Sequence, residues 1–235
     1  MYCACRKQRA EIIIFITAIS LLILLPAFFM ISETLKEHKY TYLALGDSYT
    51  IGEMVGDTER FPVQLTTRLN SDSIDIAEPL IIAKTGWTTD ELLAAIKEMN
   101  VKDTFSIVTL LIGVNNQYRG RDVGNYRSEL KQLLDIAINF AGGKKENVFV
   151  LSIPDWGVTP FAEGKDRGKI AAEIDEYNRV KKEECEKLGV KFYDITEISR
   201  STETGMIASD GLHPSGKMYK MWVDKIYDDI KSILK

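Results

Sequence analysis

The feature that most constrains this chain is the alternation of short apolar runs with longer amphipathic stretches, from residue 40 to the carboxyl terminus. Apolar runs at 42–45, 79–83, 106–112, 148–153 and 190–193 have the length of strands. Residues 62–69, 89–99, 123–140, 170–188 and 216–234 carry apolar side chains at helical spacing. Strands that are apolar almost throughout suit a parallel sheet covered on both faces. The alternation implies βαβ units with right-handed crossovers, and so an α/β fold: a three-layer, doubly wound α/β/α sandwich on a parallel five-stranded sheet. Ser215, just ahead of the last helical run, is a candidate N-cap.

Residues 12–31 form an uncharged run preceded by Arg6, Lys7 and Arg9. At 1.5 Å per residue such a run extends about 30 Å, enough to cross a bilayer core. The basic flank belongs in the cytoplasm, which puts the rest of the chain outside it. The expectation is a cytoplasmic tail at 1–11, a transmembrane anchor at 12–31, a connector at 32–39 and a globular domain at 40–235. A cleaved signal segment, giving a secreted protein, is the competing reading. Such segments are shorter and end in small residues, whereas Phe28, Phe29 and Met30 stand at that place.

Charge and cysteine usage exclude several classes. A net charge of −4 argues against nucleic acid, whose phosphates demand a basic stripe. Of the three cysteines, Cys3 and Cys5 lie ahead of the apolar run, and Cys185 is alone in a charged helical stretch. That leaves no disulfide within the domain and no C-x-x-C spacing, and Cys185 reads as a helix-packing residue. No metal-ligand spacing and no phosphate-cradling glycine loop occur, so neither metal nor cofactor is expected.

Four loops carry polar residues that point to chemistry. In open α/β sheets, ligands bind beyond the carboxyl ends of the strands. Gly46-Asp47-Ser48 ends the first strand, and on its own would read as a plain turn. Lys84 to Thr89 follows the second strand, Gly113-Val114-Asn115-Asn116 the third, and Asp210-Gly211-Leu212-His213-Pro214 comes after the fifth. A serine hydroxyl needs a base to become a nucleophile, and imidazole suits neutral pH. The chain has two histidines, His38 and His213, and His38 lies in the connector. His213 is therefore the expected base for Ser48, with Asp210 three residues earlier to orient its ring. Gly86 can offer a backbone N–H, and Asn115 a side-chain amide, to an oxyanion.

In this order and spacing the four blocks resemble those of the SGNH hydrolases, the GDSL esterase/lipase family. The resemblance runs from about residue 40 to the end. It implies a flavodoxin-like sandwich and serine-dependent ester hydrolysis. It also implies Ser48 as nucleophile, His213 as base, Asp210 as orienting acid, and an oxyanion hole from Ser48 N–H, Gly86 N–H and Asn115. Asn116 stands where the family usually has Asp, which keeps part of the hydrogen bonding but not the charge. Asp47, beside the nucleophile, reads as a structural loop acid.

Trp87, Asn116, Tyr118 and Trp156 are the candidate substrate-binding residues, with Arg119 and the loop 154–161 near the same edge. The expected protein is a membrane-anchored serine esterase working outside the cytoplasm on a small-molecule or glycan ester, with O-acetylated sugars as one substrate class. Lipid or short-acyl esters are the alternative. A non-catalytic binding module on the same fold is the rival from another class, and it would be expected to lack Ser48, Asp210 or His213.

Overall fold

A computed structural model describes residues 37–201 and 203–235, and His38–Lys235 forms one compact unit. The expected tail, the anchor at 12–31 and most of the connector lie outside the described residues. Among the described residues, no helix is long and apolar enough to cross a membrane.

Five strands, β1 (Tyr42–Gly46), β2 (Leu80–Ala83), β3 (Ile107–Leu111), β4 (Val148–Leu151) and β5 (Lys191–Tyr193), form one sheet in the order β2-β1-β3-β4-β5. Every pairing is parallel, as the alternation predicts. Each residue of β1, β3 and β4 is buried, so both faces of the central sheet are covered. The two edge strands are less buried, and Leu80 of β2 is 37% exposed. Tyr42 and Thr109 satisfy each other's hydroxyls inside the core at 2.8 Å.

Among the described residues, eight α-helices lie between and beyond the strands: α1 (Ser48–Ile51), α2 (Phe61–Ser71), α3 (Thr89–Met99), α4 (Val114–Tyr118), α5 (Val123–Phe140), α6 (Arg167–Leu188), α7 (Thr196–Ser199) and α8 (Gly216–Ile233). Helix α2 packs on α8, while α5 packs on α3 and α6. The helices start where the sequence supplies caps. Asp122 Oδ1 accepts from Asn125 N–H at 2.9 Å, and Ser215 Oγ accepts from Met218 N–H at 3.3 Å. Helix α6 begins at Arg167 and not at 170, because Asp166 caps it by accepting from Lys169 N–H at 2.9 Å. Its apolar period starts only at Ile170. Cys185 is buried on α6, and burial pushes its thiol up to about 12.

Helix α8 shows how packing reaches the working edge. Met218, Tyr219, Trp222, Val223, Ile226, Tyr227 and Ile230 form its buried stripe. Burying each such side chain stabilises by roughly 1.5–3 kcal/mol. Trp222 meets Phe61 of α2 at 6.1 Å between ring centroids and Tyr49 of α1 at 6.3 Å, edge-on in the latter case. The short helices α1, α4 and α7 lie in segments that lack a full helical period. All three begin two or three residues past a strand end.

Candidate active site

The strand register sets the geometry. Gly46 lies beside Ala83 on one flank and Leu111 on the other, so three strands end level. The chain enters β1 at the opposite, amino end, where His38 Nδ1 meets Asp75 Oδ1 at 2.9 Å. His38 is therefore held at the far edge from Ser48.

Ser48 is the first residue of α1, which folds back tightly on β1. A Cβ on Gly46 would lie 2.0 Å from Thr50 Oγ1 and 2.4 Å from Leu111 O, so only glycine permits that approach. Asp47 is the N-cap and accepts from Tyr49 N–H at 3.0 Å through Oδ1. Its other oxygen has no hydrogen-bond partner among the described residues. Burial pushes the Asp47 carboxyl up to about 7, against the Tyr49 N–H and the charge of Lys181, which pull it down.

The loop before α8 holds the other pair. His213 Nδ1 lies 2.5 Å from Asp210 Oδ2. Asp210 Oδ1 accepts from the backbone N–H of Leu212 and of His213, each at 3.0 Å. Burial alone would raise the Asp210 carboxyl, but the ring and the two N–H groups outweigh it and hold it below the usual range. With Nδ1 engaged, Nε2 is the ring nitrogen left to serve another partner. Tyr49 supports the imidazole edge-on, with centroids 5.8 Å apart.

These groups meet around a cavity of about 180 Å³ at the carboxyl edge of the sheet, lined in part by Ser48, Gly86, Asn115 and His213. Gly86 holds φ +84°, a conformation that side chains rarely adopt, and Arg119 Nη2 donates to its carbonyl at 2.6 Å. Asn115 donates through Nδ2 to Trp87 O at 3.0 Å, which leaves the second amide hydrogen for a ligand. Asp210 stands behind His213.

Tyr118, Trp156 and Phe161 form an aromatic wall of the same cavity. Trp156 and Phe161 sit 6.0 Å apart, Tyr118 lies 5.4 Å from Trp156, and Tyr118 is 52% exposed at the rim. The wall is pinned from behind. Trp156 Nε1 donates to Gln117 Oε1 at 2.8 Å, and Arg200 Nε donates to Asp155 Oδ2 at 2.9 Å. Phe161 N–H donates to Gly211 O at 2.9 Å, which ties the wall to the loop of Asp210 and His213.

Two of the expected substrate-binding residues stand outside the lining. Trp87 packs partly buried against the core and offers its carbonyl to Asn115. Asn116 holds an interior position. It is 1% exposed and spends both amide atoms on Thr89, because neighbours on a helix point about 100° apart. Tyr49, Thr85, Val114 and Leu212 complete the lining and were not singled out from the sequence. Their one signal is adjacency: Thr85, Val114 and Leu212 lie within the blocks, and Tyr49 follows Ser48. Among the described residues, no group of three or more His, Cys, Asp or Glu is placed to hold a metal ion.

The profile of the GDSL-like Lipase/Acylhydrolase family matches residues 44–221. No curated protein matches the chain. Among solved structures, the chain is similar to the lipase/acylhydrolase from Enterococcus faecalis, with a TM-score of 0.62 and 22% identity over 83% of this chain and 97% of that one. A catalytic mutant of an acetylxylan esterase from Geobacillus stearothermophilus has a TM-score of 0.64 at 18% identity, covering 82% and 94%. A psychrotrophic esterase from Pseudoalteromonas sp., inhibited by monoethylphosphonate, has a TM-score of 0.61 at 18% identity, covering 83% and 99%. At these identities the structural likeness carries the fold alone.

Proposed function

Since the chain belongs to the GDSL-like lipase/acylhydrolase family and is an SGNH-type carboxylic ester hydrolase, we propose that Ser48, His213 and Asp210 carry out the hydrolysis as a triad. The observation that carries this reading is the meeting of Ser48 and His213 on one cavity, with Asp210 engaging the far ring nitrogen. Ser48 Oγ attacks the ester carbonyl carbon as His213 Nε2 takes its proton. The oxyanion accepts hydrogen bonds from Ser48 N–H, Gly86 N–H and Asn115 Nδ2. Collapse expels the alcohol, which receives the proton from His213. Water then attacks the acyl-Ser48 carbonyl, giving its proton to His213, and the acid leaves as Ser48 regains its hydrogen.

The substrate is a small acyl ester of a sugar, with acetate as the acyl group. A cavity of about 180 Å³ is below the usual range for ligand pockets, about 300–1,000 Å³, and suits a short acyl group. The aromatic wall offers flat faces on which a sugar ring can stack. One structurally similar protein is an acetylxylan esterase by name. Short lipid esters are the second reading, favoured by the apolar side chains of Val114 and Leu212 in the lining. Rates on p-nitrophenyl acetate, butyrate and octanoate, beside an acetylated xylo-oligosaccharide, separate the two. Fastest turnover of acetate and release of acetate from the oligosaccharide support sugar esters, whereas a maximum at octanoate supports lipid esters.

The enzyme works outside the cytoplasm, held by residues 12–31 as a membrane anchor. The support is the uncharged run behind a basic flank. Full-length protein that stays with membranes through an alkaline wash bears this out, and a mature amino terminus beyond residue 31 contradicts it.

A further inference from the structure

Asn116 does not reach the cavity, yet its surroundings bear on the site. Its Oδ1 accepts from Thr89 N–H at 3.1 Å, and its Nδ2 donates to Thr89 Oγ1 at 2.6 Å. The Thr89 hydroxyl then donates to the Glu129 carboxylate on α5. Asn116 and Thr89 are both buried, Thr89 at 0% exposure. The direction of the chain is fixed by chemistry. An amide NH₂ can only donate, an ionised carboxylate can only accept, and a hydroxyl has a single proton to pass on. A one-way series runs from Asn116 through Thr89 to Glu129.

Satisfying a buried threonine does not by itself require an acid. Elsewhere in this fold Thr66 gives its proton to Val63 O at 3.0 Å, and Thr159 gives its own to Trp156 O at 2.7 Å. Thr89 opens α3 and has no earlier turn of that helix behind it to supply a carbonyl. A carboxylate there makes a charge-assisted bond, stronger than a neutral one, and the positive end of the helix dipole favours it. The low dielectric of the interior strengthens such a series further.

The series fixes two loops that the proposed chemistry needs in register. Asn115 grips Trp87 O, and Asn116 grips Thr89, so adjacent residues of α4 hold the segment after β2 at two points. Gly86 is the next residue back along that segment. We propose that Asn116, Thr89 and Glu129 form a polarised hydrogen-bond relay whose role is to set the Gly86 N–H and the Asn115 amide at the spacing an oxyanion requires. They are positioning residues, and the proposal rests on the oxyanion roles given to Gly86 and Asn115 above. The charge that an aspartate would bring to position 116 is carried in this chain by Glu129. Asn116→Asp alone therefore damages the site, because two carboxylates then compete for the one Thr89 proton.

The relay can be run backwards, and that is its test. Combining Asn116→Asp with Glu129→Gln puts the acceptor at one end and the donor at the other, with Thr89 donating to the new carboxylate. On p-nitrophenyl acetate, Asn116→Asp is expected to lower kcat by about tenfold or more, since a displacement of about 1 Å can cost about 10²-fold. KM should stay within about twofold, because the donors act on the transition state. Glu129→Gln should lower kcat by about three- to tenfold, the scale of one buried hydrogen bond. The double variant should return to within about threefold of wild type, and its melting temperature should exceed that of Asn116→Asp. An Asn116→Asp protein that fails to fold while the double variant folds is the same rescue. A double variant no better than Asn116→Asp in both readouts overturns the relay. Recovery of melting temperature without recovery of kcat overturns the positioning role. Should wild type hydrolyse no ester, the catalytic reading fails on its own, and the relay is judged by the coupling in melting temperature.

Discussion

Two aspartates, one next to Ser48 in the chain and one bonded to the His213 ring, have surroundings that give them opposite characters. Asp210 stands behind His213 with a side chain 23% exposed, bonded to the His213 ring and to two backbone N–H groups that favour its charge. Asp47, next to Ser48 in sequence, is fully buried with one oxygen unpartnered among the described residues. Burial raises its carboxyl to about 7, although Lys181 lies near enough to oppose the shift. Lys181 is itself buried and donates to Ile112 O and Leu151 O, both at 2.9 Å, at the ends of two strands. The difference teaches that nearness to the serine along the chain does not make an acid part of a triad. What counts is an ionised carboxylate aimed at an imidazole, and of these two aspartates it is Asp210 that meets one.

The largest effect expected is loss of the pair that Asp210 serves. Ser48→Ala and His213→Ala should each abolish nearly all turnover, on the order of 10⁶-fold, and the double variant should be no worse, because triad members act as a unit. Steady-state rates on p-nitrophenyl acetate with folding checked by circular dichroism measure this. Next comes the comparison itself. Asp210→Asn should lower kcat by about 10⁴-fold, since the amide favours the wrong ring tautomer. Asp47→Asn keeps the oxygen that caps α1 and should leave kcat within about threefold. Equal losses from the two substitutions would dissolve the distinction.

A smaller contrast separates the neighbours on α4. Asn115→Ala should cost on the order of 10²–10³ in kcat with KM near wild type, as for the loss of one oxyanion donor. Asn116→Ala, acting only through the relay, should cost less. A larger loss at Asn116 would move the donor role to it.

The smallest effect is on stability. The folded state of Asp47 binds its proton more tightly than the unfolded chain does, so its contribution is fully present below about pH 3.8 and is lost as pH rises through about 7. Asp47→Asn removes that dependence. Its melting temperature should therefore gain on wild type as pH rises from 4 to 8, and melts across that range would show it. A gain that shrinks with rising pH would mean that Asp47 is held ionised.

Much of this was readable in the sequence, for physical reasons. Residues 89–99 and 123–140 match α3 and α5 because apolar period and caps agree there: Thr88 and Glu91 box the first, and Asp122 opens the second. The parallel sheet followed from the alternation, and three of the four blocks fell at the ends of strands that the register makes level, while the fourth lies in the loop before α8. Two things were not readable. Strand ends were off by a residue or two because apolar residues continue past the ladder, as Ile112 and Ile153 do beyond β3 and β4. The facing of Asn116 depends on α4, a five-residue helix with no period of its own to reveal. Restoring the family's aspartate at that position looks harmless in sequence, and only the Thr89–Glu129 bond shows why it should not be.

The central claim is that Ser48 becomes acylated with His213 as its base. It is tested most directly by treating the protein with an ethylphosphonate ester and mapping the adduct by peptide mass spectrometry. One adduct on Ser48 is expected, formed in step with loss of esterase activity and absent from His213→Ala. An adduct on another residue that tracks the loss of activity, or full activity with Ser48 unmodified or replaced by Ala, would contradict the account.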